Sequence, residues 1–229
     1  MFSIKKFLLC GLVSLSLALV TTTAWGASKT EDEESIRNAT TVLQAMVSAK
    51  EVPISVLSKA DCIMVLPGVK KFAIGIGGTG GRGPMSCREG HGYNGKWSAP
   101  AMYTIGGASA GFQVGGKASD IVIAIMAPAA VDKVLNSKVK VGTDVSAAAG
   151  PGASTGTMAS TTDMLTYSRS SGLFAGASID GASLEPDAKA NERLYSKTVS
   201  AKEIVGGGVT ATPAGEVMVH LLDTKLGTH

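Results

Sequence analysis

Histidine, cysteine and aromatic residues are scarce in this chain: of 229 residues, three are histidine, three cysteine and 5% aromatic. His91, His220 and His229 are scattered and pair by sequence with no candidate nucleophile. They show no metal-ligand spacing with Cys62 and Cys87 either, so no metal site is expected. A Gly-Lys-Ser/Thr tripeptide does not occur, which removes the P-loop. A large excess of one charge is missing too. The formal charge is +3, and residues 27–229 alone carry 19 basic and 18 acidic side chains. That is not the balance of a nucleic-acid binder. Beyond residue 20 there is no second apolar run long enough to span a bilayer.

What is present begins with Lys5-Lys6 and the apolar stretch FLLCGLVSLSLALV, followed by the small-x-small triplet Ala24-Trp25-Gly26. This is the pattern of a secretory signal peptide over 1–26, with an uncleaved anchor as the alternative. The rest, 27–229, has the size of one domain with a sizeable core. The expected setting is an exported protein. Residues 27 to 35 are polar and acidic and read as frayed; from Ser35, Ile36, Ala39, Leu43, Met46 and Val47 fall on one helical face.

Glycine is abundant, at 29 residues, and concentrated between the apolar runs. CIMVL, closed by Pro67-Gly68, then KKFAIGIGG and MSCRE read as three strands. WSAPAMYTIGGASAGFQVGGKASDIVIAIM supplies two or three more, with a strand backbone almost bare of side chains around Gly106 to Gly116. Pro128 opens a helix, KVKVG alternates as a strand, and the stretch around 150 to 157 is a loop. MLTYSRS and LFAGASIDGASL are further strands, Pro186 begins a helix, and the last helix starts near Pro213. The fold class is therefore α+β: a coiled, antiparallel, glycine-rich sheet or small barrel, with helices at both ends and one between strands.

Gly75, Gly77 and Gly80 match the dinucleotide fingerprint GxGxxG, but no helix is expected to follow, so a glycine hairpin is the better reading. Asp120 at a strand end reads as a satisfied polar group, with Gln113 or Arg169 as its donor, rather than a catalytic one. No catalytic residue and no cofactor is expected. Five cations, Lys70, Lys71, Arg82, Arg88 and Lys96, fall in a window holding a single acid, Glu89. If a hairpin brings them to one rim, cations beside glycine amides make an anion site suited to a headgroup phosphate. The alternative is solvated strand ends. Cys62 and Cys87 form an even pair across that hairpin, expected as a disulfide, with two buried free thiols as the alternative.

CIMVLPGVKKFAIGIGGTGGRGPMSCR, WSAPAMYTIGGASAGFQVGGKASDIVI, SAAAGP and YSRSSGLFAGASIDGASLEPD together resemble the SYLF family of lipid-binding domains, over about Ser35 to Val205. The resemblance implies a non-enzymatic protein that contacts anionic phospholipid or phosphoinositide-like headgroups peripherally. Eukaryotic members bind phosphoinositide membranes and some act with actin; bacterial members are exported, which together with the leader implies a periplasmic or extracellular protein of a bacterium. An amphipathic N-terminal helix is implicated in membrane contact in the eukaryotic members. Here segment 31 to 50 departs from that, with acids at its start and only Arg37 and Lys50 as cations. The leading expectation is an exported binder of anionic lipid at an envelope membrane. The alternative is a structural or interaction protein of the envelope.

Overall fold

The computed structural model describes residues 27–74, 76–90, 92–110, 115–150, 162–170, 173–174, 179 and 181–227. The expected leader 1–26 and most of the 150 to 157 loop lie outside them. Among the described residues nine strands form one sheet in the order β5-β9-β3-β2-β1-β4-β7-β6, with β8 paired to β7. They are β1 (Cys62–Ile74), β2 (Ile76–Cys87), β3 (Ala101–Ala110), β4 (Gly115–Ile125), β5 (Val139–Lys140), β6 (Ala147–Ala149), β7 (Met164–Ser170), β8 (Leu173–Phe174) and β9 (Ser183–Pro186). Every pairing is antiparallel except β6 with β7, so the curled sheet is mixed, and its order has two ends among the described residues. The helices are α1 (Lys29–Ser48), α2 (Ile54–Leu57), α3 (Pro128–Asn136), α4 (Ala188–Tyr195), α5 (Ala201–Glu203), which runs on into a π-type turn at Ile204–Gly208, and α6 (Pro213–Leu226). The fold is α+β, as the sequence implied.

The apolar runs CIMVL and IVIAI are continuous because helices cover both faces of the sheet there. One face presents Cys62, Met64, Leu66, Met85, Ile121 and Ile123 to α3 and to Ile204 and Val205. The other presents Ile63, Val65, Met102, Val122 and Ala124 to α1, α2, α4 and α6. Alternation along each strand supplies the two sets.

Pro67-Gly68, expected to end a strand, is instead a bulge inside one 13-residue strand. Met64 to Lys70 on β1 faces only Met85 to Gly80 on β2, and Leu66 to Val69 faces only Ile121 to Ser119 on β4. One extra residue on β1 is accommodated, and Gly68 takes a φ of +56° to do it. Asp120 makes the bulge affordable: its Oδ1 accepts the Gly68 N–H at 2.9 Å, and its Oδ2 lies 3.7 Å from the Arg169 guanidinium. Asp120 is thus a satisfied structural group with Arg169 beside it; Gln113 lies outside the described residues. Opposite the bulge, a Cβ on Gly83 would lie 2.0 Å from the Val65 carbonyl oxygen, so only glycine fits.

Residues 27 to 35 are not frayed. Ser28 caps α1 in a reciprocal capping box with Glu31, and the helix runs from Lys29. Pro186 ends β9 instead of opening a helix; Asp187 caps α4, its carboxylate accepting from the Ala190 N–H. After Gly77 and Gly80 comes the rest of β2 and no helix, which leaves no place for a dinucleotide pyrophosphate. Among the described residues no helix is long and apolar enough to cross a membrane.

Candidate functional site

The five cations of the 70–96 window do not converge. Cys62 pairs with Cys87 and Lys71 with Thr79, so Arg88 lies about nine residues along the hairpin from Lys71, roughly 30 Å at the usual strand rise. Lys96 follows Arg88 at that same end, where an isolated bridge pairs Arg88 with Trp97.

Arg88 is a structural residue, which corrects its assignment to a headgroup site. Its side chain is buried at 1% exposure. It donates to the carbonyls of Gly227 at 2.7 Å, Gly95 at 3.3 Å and Ser58 at 3.3 Å. Its guanidinium lies 4.5 Å from the centroid of the Trp97 ring. Burial lowers its pKa, opposed by the charges of Asp223 and Asp61. Asp61 is pushed up to about 6 by burial, with Arg88 pulling the other way.

Arg82 is also committed. Asp32 and Glu33 belong to the acidic stretch that reads as frayed in the sequence, yet both are buried, and both bind groups of other elements. The Asp32 carboxylate accepts from Arg82 on β2 and from Arg193 on α4, at 2.7 and 3.1 Å for the latter. Glu33 Oε2 accepts the Ala214 N–H at 3.0 Å, satisfying a free amide at the start of α6. The signal for this was readable. Asp32 extends the stripe Ile36, Ala39, Leu43, Met46 by one turn, and a carboxylate on a buried stripe requires a cationic partner.

Lys96 is exposed, with its ammonium 3.7 Å from Glu89 Oε2. Lys70 and Lys71 remain, and no described acid pairs with either. The bulge decides where they point. One added residue reverses the alternation, so Val69 joins the disulfide face and Lys71 follows it, while Lys70 turns to the α1 side. There Lys70 lines a groove of about 360 Å³ with Glu31, Glu34, Asn38, Gly80 and Arg82. Lys71 sits opposite Lys117 of β4 in the register, a position sequence reasoning missed.

Cys62 and Cys87 are directly opposed on β1 and β2 and joined by a disulfide. It ties the Arg88 end of the hairpin, not the lysine end. A wider polar groove of about 540 Å³ lies between α4 and the start of α6, lined by Lys29, Tyr195, Lys197 and Thr212. Lys197 donates to the Gly208 carbonyl there at 3.0 Å. His220 is exposed on α6, and His91 and His229 fall outside the described residues.

Residues 106–225, just over half of the chain, match the family described as "Las17-binding protein actin regulator". An SH3 domain-containing protein of Schizosaccharomyces pombe is 32% identical, covering 80% of this chain and 43% of its own length. Protein YSC84 of Saccharomyces cerevisiae is 29% identical over 82% and 42%, and the human SH3 domain-containing YSC84-like protein 1 is 30% identical over 76% and 52%. The chain thus spans about half or less of the curated relatives it matches. It belongs to the SYLF/Ysc84 family, and the relatives it matches are named as SH3-domain and Las17-binding proteins, not as enzymes. The same relatives overturn the bacterial reading. They are eukaryotic proteins named for SH3 domains and for Las17 binding. The assignments as a bacterial exported member, as a periplasmic or extracellular protein with a signal peptide, and as an envelope lipid binder are corrected accordingly. The partner expectation carries over in its coarse form only, as a domain of a headgroup-contacting family.

Proposed function

Starting from that membership, we propose that this chain is a non-catalytic interaction domain of actin regulation, binding a Las17-type regulator while Lys70 and Lys71 contact phospholipid phosphate. The observation that carries the reading is the family match over 106–225, which runs from the second half of β3 into α6, and the relatives' similarity over about four fifths of the chain. Two features support the lipid component. Lys70 and Lys71 carry no ion-pair partner among the described residues, and Lys71 faces Lys117 in the register. Each lysine near an anionic surface contributes about 1 kcal/mol, screened by salt.

The test has two arms. Purified Las17 is titrated against the chain, and Las17-driven actin assembly is followed with the chain added. Saturable binding together with a changed assembly rate is expected; neither appearing would end the actin-regulatory reading. The second arm floats the chain on phosphatidylcholine vesicles with and without a phosphoinositide. Equal recovery on both would remove the headgroup component and leave the protein contact standing.

A further inference from the structure

We propose that the apolar groove where α1, α2 and α6 meet is a docking site for an acidic amphipathic helix of a partner protein. Leu43, Val47, Ile54, Leu57, Leu221 and Leu226 make its apolar lining, with Lys225 on its rim. It lies at the far end of α1 from Lys70: Glu34 lines the Lys70 groove and Gln44 this one, about 15 Å apart at the helical rise. The inference is independent of Las17 being the partner and of any lipid contact.

Size selects the kind of occupant. The groove holds about 160 Å³. Cofactor and drug-like sites run to about 300–1,000 Å³. This one has room for one or two aliphatic side chains, which is how a peptide anchors to a surface. Leu221 to Leu226 spans about 7.5 Å along α6, which matches two anchors one turn apart, at i and i+4, on an incoming helix. A bilayer fits less well. Interfacial insertion needs a protruding apolar face, whereas Ile54 is the one fully exposed large apolar side chain of this lining among the described residues, Leu43, Leu57 and Leu222 being buried and Val47, Leu221 and Leu226 half-buried.

Charge selects the flank. Glu33 of α1 reaches the first turn of α6, and the C-terminal halves of both helices line the groove, so α1 and α6 run parallel. Their C-terminal dipole ends together amount to about one negative charge. Against that stand three lysines: Lys225 on the rim, Lys50 two residues beyond Ser48, and Lys59 two beyond Leu57. All three are exposed, and none is within ion-pairing distance of a described acid. The neighbouring acids Glu51 and Asp223 are engaged elsewhere, by Arg169 and by the Trp97 N–H, so the three lysines leave the rim net positive and the complementary helix carries Asp or Glu beside its aliphatic anchors.

The experiment selects binders to the whole chain from a displayed library of amphipathic helices with randomised anchors and flanks. Enriched sequences are expected to carry aliphatic residues at i and i+4 with acidic neighbours. They should lose about tenfold or more in affinity against Ile54→Glu. Against Lys225→Glu the preference should shift toward basic flanks. Both substitutions are at exposed positions, and thermal melts matching the parent show that the fold is kept. Absence of enrichment, enrichment without acidic flanks, or binders indifferent to both variants would overturn the proposal. So would loss of flotation on phosphatidylserine-containing vesicles in Ile54→Glu, since the groove would then face a membrane.

Discussion

The two ends of the β1–β2 hairpin carry basic residues from one short sequence window and put them to opposite uses. At the disulfide end Arg88 is sealed beneath Trp97 and spends its donors on three carbonyls. At the glycine end Lys70 and Lys71 have no described ion pair. Arg82, between them, is held by Asp32. The division follows side-chain chemistry. A guanidinium offers a planar fork of donors and is weakly hydrated, so it suits buried carbonyls and carboxylates; an ammonium is compact, strongly hydrated and left outside. Nearness in sequence says little about nearness in space when a strand separates two groups by roughly 30 Å.

The comparison breaks most visibly at Arg88. Arg88→Ala strips donors from the Gly227, Gly95 and Ser58 carbonyls and leaves Asp61 and Asp223 without their cation. A loss of about 3–5 kcal/mol is expected in urea unfolding. Arg82→Ala should cost less, about 1–2 kcal/mol, because Arg193 still holds Asp32 and the Arg82 side chain is 31% exposed. Equal losses at the two arginines would remove the distinction drawn between them.

The disulfide gives the next effect. Cys62 and Cys87 are 25 residues apart, and closing a loop of that length contributes about 3 kcal/mol in the chain-entropy account. Reduction, or the Cys62→Ala/Cys87→Ala pair, should lower stability by that order. Labelling of the unreduced, denatured full chain should find one reactive thiol, at Cys10, of the three cysteines in the sequence. Three labels before reduction would refute the bridge. Because it ties the Arg88 end, its loss should leave vesicle binding through Lys71 intact.

A smaller effect is set by pH. Asp61 has its pKa raised to about 6 by burial, above its ordinary value of 3.8. The folded state therefore binds this proton more tightly than the unfolded one. The associated stability is full below about pH 4 and is lost as pH rises through about 6. Asp61 is half-buried, so solvent screening limits the change to about 1 kcal/mol. The difference in stability between parent and Asp61→Asn should vary across pH 4 to 7; a constant difference would place the raised pKa elsewhere.

The strands themselves were legible in the sequence, because two-sided burial writes long apolar runs and glycines mark the thin parts of the sheet. What was not legible turns on single residues acting across the fold. Pro67-Gly68 has the composition of a turn; it becomes a bulge because Asp120, more than fifty positions away, takes the Gly68 N–H. The faces of Lys70 and Lys71 follow from that bulge and so were hidden with it. LFAGASIDGASL reads as one strand; residues 175–178 and 180 lie outside the described residues, and Gly181 takes a φ of +80° just before β9 begins at Ser183 and pairs with β3. Asp32 could have been read: a carboxylate in the apolar stripe of a helix announces a buried partner, though not which arginine it is.

The smallest expected effect separates the two lysines. Both lie on β1 beyond the bulge, but on opposite faces. Lys70 shares its groove with Glu31 and Glu34, whose charges oppose an incoming phosphate. Lys71 lies on the other face, away from that groove and its acids, at the register position opposite Lys117. Lys71→Glu should therefore weaken flotation on phosphoinositide-containing vesicles more than Lys70→Glu. About 1 kcal/mol for one lysine near an anionic surface corresponds to about a fivefold loss. Neither substitution should move stability by more than about 0.5 kcal/mol, since neither side chain makes a described ion pair. The difference should shrink at high salt, as exposed charges are screened beyond about 8 Å at physiological ionic strength. Equal losses at the two positions would mean that the bulge does not sort the lysines by function, and a larger loss at Lys70 would move the phosphate contact to the α1 side of the sheet.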